Sequence, residues 1–181
     1  MHEKSLVKIS KYLSKHLRHQ PERLGLKLES GGWTDVEDLL AACRRNNFPI
    51  SFETLNEVVE KNDKNRFSFD ETKTKIRANQ GHSIKVDLQL TPVAPPEILY
   101  HGTNEKSVSA ILEHGLLKMA RHHVHLSVDE KTARIVGGRR GKPVILSVDA
   151  AAMREEGYEF FVSANGVWLV EKVPPKFLTV L

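Results

Sequence analysis

Tyr100-His101-Gly102-Thr103 follows a break at Pro92, Pro95 and Pro96, and sets an imidazole and a hydroxyl on either side of a glycine. That order predicts a short strand leaving a linker and entering a glycine turn, which presents polar side chains at the mouth of a pocket rather than in a core. Further on, Arg121-His122-His123-Val124-His125-Leu126-Ser127 alternates Val124 and Leu126 with His123 and His125, the period of a strand. Two histidine-bearing strands facing one cleft are the expectation. Near the start of the chain, Arg18-His19 joins a guanidinium, able to hold a phosphate bidentately, to an imidazole able to move a proton near neutral pH. Gly137-Gly138-Arg139-Arg140-Gly141-Lys142 is a glycine-rich basic loop. Backbone amides made approachable by glycine and flanked by cations suit a pyrophosphate, although the spacing is neither the Walker nor the Rossmann one.

These groups need elements to hold them. Leu6, Ile9, Leu13 and Leu17 recur at helical spacing with Lys8, Lys11 and Lys15 between them, so a first helix with a basic flank runs until Pro21 stops it. Arg18 and His19 fall at its C-terminal end, where the helix dipole also favours a cation. Leu24, Leu26 and Leu28 alternate as a short strand before Gly31-Gly32. Thr34 with Glu37 reads as a capping box for a second helix carrying Val36, Leu39, Leu40 and Cys43. A third helix begins near Ser51 and ends in Asn62-Asp63-Lys64-Asn65. Arg66-Phe67-Ser68-Phe69 and Lys75-Ile76-Arg77 then form a hairpin around Asp70-Glu71. Helix, strand, two helices and a hairpin describe a winged helix, whose wing cations Lys64, Arg66, Lys73, Lys75 and Arg77 suit nucleic-acid phosphates or else decorate a solvated face. Arg66 stands apart because it opens a strand.

The stretch from Ile84 to Glu97 mixes a possible strand with prolines and is read as the boundary between two lobes, residues 1–90 and 98–181, with 91–97 as linker. In the second lobe a strand over Ile98–Tyr100 leads to a helix with Val108, Ile111 and Leu112, stopped by Gly115. Ser127 with Glu130 reads as a capping box, a competitor to any ligand role for Ser127. Strands at Val144–Val148, Phe160–Val162 and Val167–Val170 complete the lobe, the last two joined through Asn165-Gly166.

Composition narrows the class. In 181 residues, 27 lysines and arginines stand against 23 acids, a formal charge of +4 that suits a polyanionic partner without requiring one. The single cysteine, Cys43, excludes an internal disulfide and any cysteine-rich zinc cluster, fits a reducing cytoplasm, and is read as a small buried apolar residue. No stretch has the apolar length of a signal peptide or a membrane span, so a soluble, cytoplasmic protein is expected.

Taken together, the motifs resemble those of the NAD-dependent RNA 2′-phosphotransferases (KptA type). The resemblance rests on Ser10-Lys11-Tyr12-Leu13-Ser14 with Leu17-Arg18-His19, Lys64-Asn65-Arg66-Phe67, Gln80-Gly81-His82-Ser83, Leu99 to Thr103, Arg121 to Ser127, and Asn165-Gly166-Val167-Trp168. It implies an α+β chain in which an N-terminal winged-helix lobe joins a C-terminal, β-rich ADP-ribosyltransferase-like lobe, with NAD in the second lobe and the RNA phosphate in the cleft between. It also implies a catalytic tetrad of Arg18, His19, Arg66 and Arg121, with His19 as general acid or base. NAD as co-substrate falls to His101, Gly102, Thr103 and Ser127, with His101 near the adenosine-side ribose and Gly138 and Arg139 at the glycine-rich loop. No metal is required if arginines neutralise the phosphate. The expected partners are an RNA carrying a 2′-phosphate, as in tRNA splicing by eukaryotic relatives, and NAD, with the chain a monomer.

Three other readings compete. A general ADP-ribosyltransferase needs a glutamate on a late strand, for which Glu159 and Glu171 are the candidates. A winged-helix regulator accounts for the first half and leaves Tyr100 to Ser127 unexplained. A zinc site at His122, His123 and His125 is disfavoured, because neighbouring strand residues point to opposite faces.

Overall fold

The computed structural model describes residues 3–62 and 64–181, a mixed α and β chain with small antiparallel sheets and six α-helices among those residues. It divides into two compact units, Met1–Gln89 and Leu90–Leu181. Among the described residues, no helix is long and apolar enough to cross a membrane.

In the first unit, α1 (Glu3–Arg18) buries Ile9, Leu13 and Leu17 on the stripe their spacing defines. The strand expected over Leu24–Leu28 is absent. Pro21 starts a 3₁₀ turn over Pro21–Leu24, and Gly25, at φ +69°, closes it in the left-handed conformation that glycine adopts at least cost. The alternation there reflects burial of Leu24 and Leu26, not strand pairing. β1 (Trp33–Asp35) leads into α2 (Val36–Arg45) and α3 (Phe52–Glu60). The N-cap of α2 is Asp35, whose Oδ1 accepts from the amides of Glu37 at 2.8 Å and Asp38 at 3.2 Å; the expected Thr34 pairs instead with Ile76 inside β1. Ser51 caps α3 by accepting from the Thr54 amide at 3.2 Å. Of the polar cluster after α3, Asp63 lies outside the described residues. β2 (Phe67–Phe69) and β3 (Lys75–Ala78) form the hairpin, and the sheet runs β1-β3-β2, all antiparallel. The helices and sheet share one core around Leu13, Leu17, Leu39, Leu55 and Ile76. Cys43 is wholly buried in it, and burial pushes its thiol up to about 11.

The second unit is built on β4 (Ile98–Asn104), followed by α4 (Glu105–His114), β5 (Leu116–Leu117), β6 (Val124–Leu126), α5 (Glu130–Gly137), β7 (Pro143–Asp149), α6 (Ala150–Glu155), β8 (Phe160–Val162), β9 (Trp168–Val170), β10 (Lys172–Val173) and β11 (Leu178–Val180). No strand forms between Ile84 and Glu97, although the Val93 amide bonds the Phe160 carbonyl at 2.7 Å. Two sheets, β11-β7-β4 and β6-β9-β8, are stitched together by reciprocal backbone bonds of 2.8 Å between Tyr100 and Ser127. Gly102 is no turn: β4 runs straight through it, opposite Ile145 of β7. Ser127 is no cap either, because Asp129 caps α5 by accepting from the Thr132 amide at 2.7 Å while Ser127 is held in the bridge to Tyr100.

Candidate active site

In the first unit, α1 delivers Arg18 at its last turn and His19 just beyond it. Both are gripped by one downstream segment. The Ser83 amide donates to the Arg18 carbonyl at 3.0 Å, and the Ser83 hydroxyl shares a hydrogen bond of 2.8 Å with His19 Nδ1. Gly81, at φ +85°, lies under the Arg18 guanidinium, and a Cβ there would stand 3.6 Å from Nη1. Arg66 precedes β2 and is held from below: its Nη1 donates to Asn62 Oδ1 at 3.0 Å and reaches Ser10 Oγ at 3.5 Å, while Asn62 Nδ2 donates to Ser10 Oγ at 3.1 Å. Ser10 and Asn62 are both buried, so the bond between them forms away from competing water, while the two made by Arg66 are partly buried.

Asn79 completes the arrangement. Its amide donates to the Arg66 carbonyl at 2.9 Å and its side-chain amide to the Asn65 carbonyl at 2.6 Å. The segment from Asn79 to Ser83 therefore ties Arg66 at one end to Arg18 and His19 at the other. One five-residue segment thus fixes the backbone of Arg66 and of Arg18 and the ring of His19.

In the second unit, Arg121 Nη1 lies 3.0 Å from His125 Nδ1. A guanidinium can only donate, so His125 Nδ1 accepts and the ring is in its neutral Nε2–H form. His101 Nδ1 stands 3.0 Å from the His125 carbonyl, which can only accept, so His101 carries its proton on Nδ1. Burial, with the Arg121 charge adding to it, holds the His101 imidazole below its ordinary proton affinity, while the bond to the His125 carbonyl opposes this. His101 thus presents a neutral ring with Nε2 as acceptor, on the same strand as the buried Thr103. Of the histidines expected to face one cleft, His101 and His125 are brought together, whereas His123 packs its ring 5.5 Å from that of Phe161. Gly138 and Arg139 are exposed in a 3₁₀ turn, Gly138–Arg140, that packs on β4 and β7. The Arg140 side chain lies outside the described residues.

The family described as RNA 2'-phosphotransferase, Tpt1 / KptA, matches residues 4–172. The chain belongs to that family. It is similar to proteins named "Probable RNA 2'-phosphotransferase" from Trichormus variabilis, with 66% identity over 178 residues and 98% of both chains covered, and from Nostoc punctiforme, with 60% identity and the same coverage. A protein of the same name from Herpetosiphon aurantiacus is 57% identical, again over 98% of each chain.

Of the five cations expected on a wing, three are engaged within the first unit. Lys75 pairs with Glu29, Lys73 bonds Asn56 at 2.7 Å and Glu60 at 3.5 Å, and Arg77 lies 4.6 Å over the Trp33 ring. Glu159 and Glu171 are both exposed, and Glu171 is bound by Lys118 at 3.3 Å. The residues that position Arg66 and Arg121, namely Ser10, Asn62, Asn79 and His125, were given no such role by the sequence. One signal existed: Ser10, like His16, is a polar residue on the buried side of α1.

Proposed function

We propose that this chain removes an internal 2′-phosphate from RNA by transferring it to NAD, which is consumed as co-substrate. In the first step an oxygen of the RNA 2′-phosphate bonds to C1″ of the nicotinamide ribose as the C1″–N bond breaks, and nicotinamide leaves with the bonding pair. In the second step the neighbouring 2″-hydroxyl loses its proton and attacks phosphorus. The P–O bond to the RNA then breaks, its oxygen takes a proton, and the products are an RNA 2′-hydroxyl and ADP-ribose 1″,2″-cyclic phosphate.

Arg18 and Arg66 are assigned to the phosphate, which carries close to two negative charges at neutral pH and suits bidentate guanidinium donors. Arg121 supplies a further cation for the charge that develops during transfer. His19, oriented through Nδ1 by Ser83, moves the proton of the second step through Nε2. His101 is the acceptor for a ribose hydroxyl, with Thr103, Ser127 and the backbone of Gly102 beside it, and Gly138 and Arg139 are assigned to the pyrophosphate. The same reading makes the first unit a winged-helix RNA lobe and the second an NAD lobe of the ADP-ribosyltransferase fold. The order of helices and hairpin around β1-β3-β2 supports the first, and the paired three-stranded antiparallel sheets support the second.

The observation that carries this reading is the Asn79–Ser83 segment bonded at once to Arg66, Arg18 and His19. The test mixes the protein with NAD and a short RNA bearing one internal 2′-phosphate, and follows nicotinamide and phosphate separately. Loss of the phosphate with formation of the cyclic product, reduced by about 100-fold or more in Arg18→Ala, His19→Ala, Arg66→Ala and Arg121→Ala, is the expected result. Nicotinamide release with ADP-ribose left on the RNA would mean a transferase that stops after the first step. No NAD consumption would overturn the enzymatic reading.

A further inference from the structure

Asn65, the residue before Arg66, has φ of +39°, in the left-handed region that residues with side chains enter as a minor conformer, asparagine more readily than most. The turn is closed from one side by Asn62, whose carbonyl accepts from the Asn65 amide at 2.8 Å and whose Oδ1 accepts from the Lys64 amide at 3.1 Å. Asn79 closes it from the other. Its Nδ2 donates to the Asn65 carbonyl at 2.6 Å, and its own backbone amide donates to the Arg66 carbonyl at 2.9 Å. A carbonyl can only accept, so the side-chain amide is fixed with its nitrogen toward Asn65. Asn79 is 5% exposed, and its Oδ1 is buried with no hydrogen-bond partner among the described residues. One bond made and one buried acceptor left over add little to folding stability, because desolvation of the acceptor offsets the bond. The worth of an asparagine here therefore lies in the backbone that it holds.

We propose that Asn79 is a positioning residue for Arg66: its side-chain amide holds the left-handed turn at Asn65 from which the Arg66 guanidinium is set toward the RNA 2′-phosphate. Without that clamp Asn65 relaxes toward negative φ, and a change of φ at one residue turns the chain that follows it. Arg66 then no longer enters β2 from the same direction. For what Arg66 does to the substrate the proposal rests on the phosphotransferase reading, whereas the state of the turn is measured with no substrate present. The Asn65 side chain is exposed, so residue 65 can be exchanged without disturbing the core, and a glycine there adopts the left-handed conformation unaided. This separates a clamp from plain folding support. A clamp lost at residue 79 can be replaced by Asn65→Gly, whereas lost packing cannot.

The experiment compares the parent chain with Asn79→Ala, Asn65→Ala, Asn65→Gly and Asn65→Gly/Asn79→Ala, each checked as folded by urea titration. One readout is hydrogen exchange at the backbone amide of residue 79, which reports whether the Arg66 carbonyl stays in place. The other is kcat/KM for removal of the 2′-phosphate from RNA. Asn79→Ala should lose about tenfold in both, the worth of one hydrogen bond. Asn65→Ala, whose methyl group disfavours the left-handed region, should lose about fivefold with the core untouched. Asn65→Gly should stay within about twofold of the parent, and the double variant should recover to within about threefold. Full protection and activity in Asn79→Ala, or a loss there that Asn65→Gly does not restore, would overturn the proposal. Should Asn79→Ala fail to fold, an Asn65→Ala variant equal to the parent would overturn it instead. If the parent removes no phosphate at all, the functional reading fails, and protection of the residue-79 amide alone upholds or overturns the clamp.

Discussion

Asn62 sets the position of Arg66 without needing to touch a substrate. Its Oδ1 accepts from the guanidinium and its Nδ2 donates to Ser10, so one buried amide joins the end of the α3 region to the middle of α1. Hydrogen bonds to charged groups contribute about 1.5–3 kcal/mol, and a buried partner left without one adds a desolvation cost. Asn62→Ala should therefore lower the unfolding free energy by about 2 kcal/mol in urea titrations and also reduce phosphate transfer. A variant as stable as the parent would show that the Asn62 bridge is not structural. This layer was only half visible in the sequence. Arg18, His19, Arg66 and Arg121 stand out by type and motif, but a buried asparagine that orients an arginine looks like any polar loop residue until Ser10 and Arg66 are seen to converge on it.

At the scale of elements, glycine gave the most misleading signal, because the same residue serves a left-handed turn and a close approach of two backbones. Gly102 and Gly137 are the second kind. A Cβ on Gly102 would run into the Ala133 carbonyl of α5, and one on Gly137 would fall 2.6 Å from the Thr103 carbonyl of β4. Helix α5 can lie on β4 only while both positions lack a side chain. Gly138 differs, with helical φ of −66° and only Pro143 Cγ, at 3.9 Å, near a built Cβ. Gly102→Ala should thus destabilise the protein by about 3 kcal/mol or more through overpacking and weaken the proposed NAD binding with it, since His101 and Thr103 share that strand. Gly138→Ala should leave stability within about 0.5 kcal/mol. Calorimetric titration with NAD beside urea unfolding separates the two, and equal stability losses would refute the packing account. The helices were legible from their periodicity, whereas the caps moved to Asp35 and Asp129 because each of these acids stands nearer its helix than the serine or threonine that fits the motif.

Across the whole molecule, the pH response separates into two windows with different causes. Asp70 and Asp129 are held below the ordinary carboxylate range, first of all by backbone amides, so any stability they add is lost only as the pH falls through the acid range. His101 acts earlier and in its own way. Unfolded, it takes up a proton near 6.5; folded, burial and the nearby Arg121 keep it neutral to lower pH. Below about 6.5 the unfolded state therefore binds more protons, and stability falls as the pH drops through that value. Above it neither state is protonated, and the histidine contributes no slope. The unfolding midpoint of the full chain should accordingly be flat from pH 8 to 7 and decline from 6.5 to 5, with a shallower decline in His101→Gln, whose side chain can still donate to the His125 carbonyl but cannot titrate. Parallel pH profiles for the two proteins would show that His101 titrates alike in the folded and unfolded chain, and would remove the physical basis for assigning it a neutral, acceptor role toward NAD.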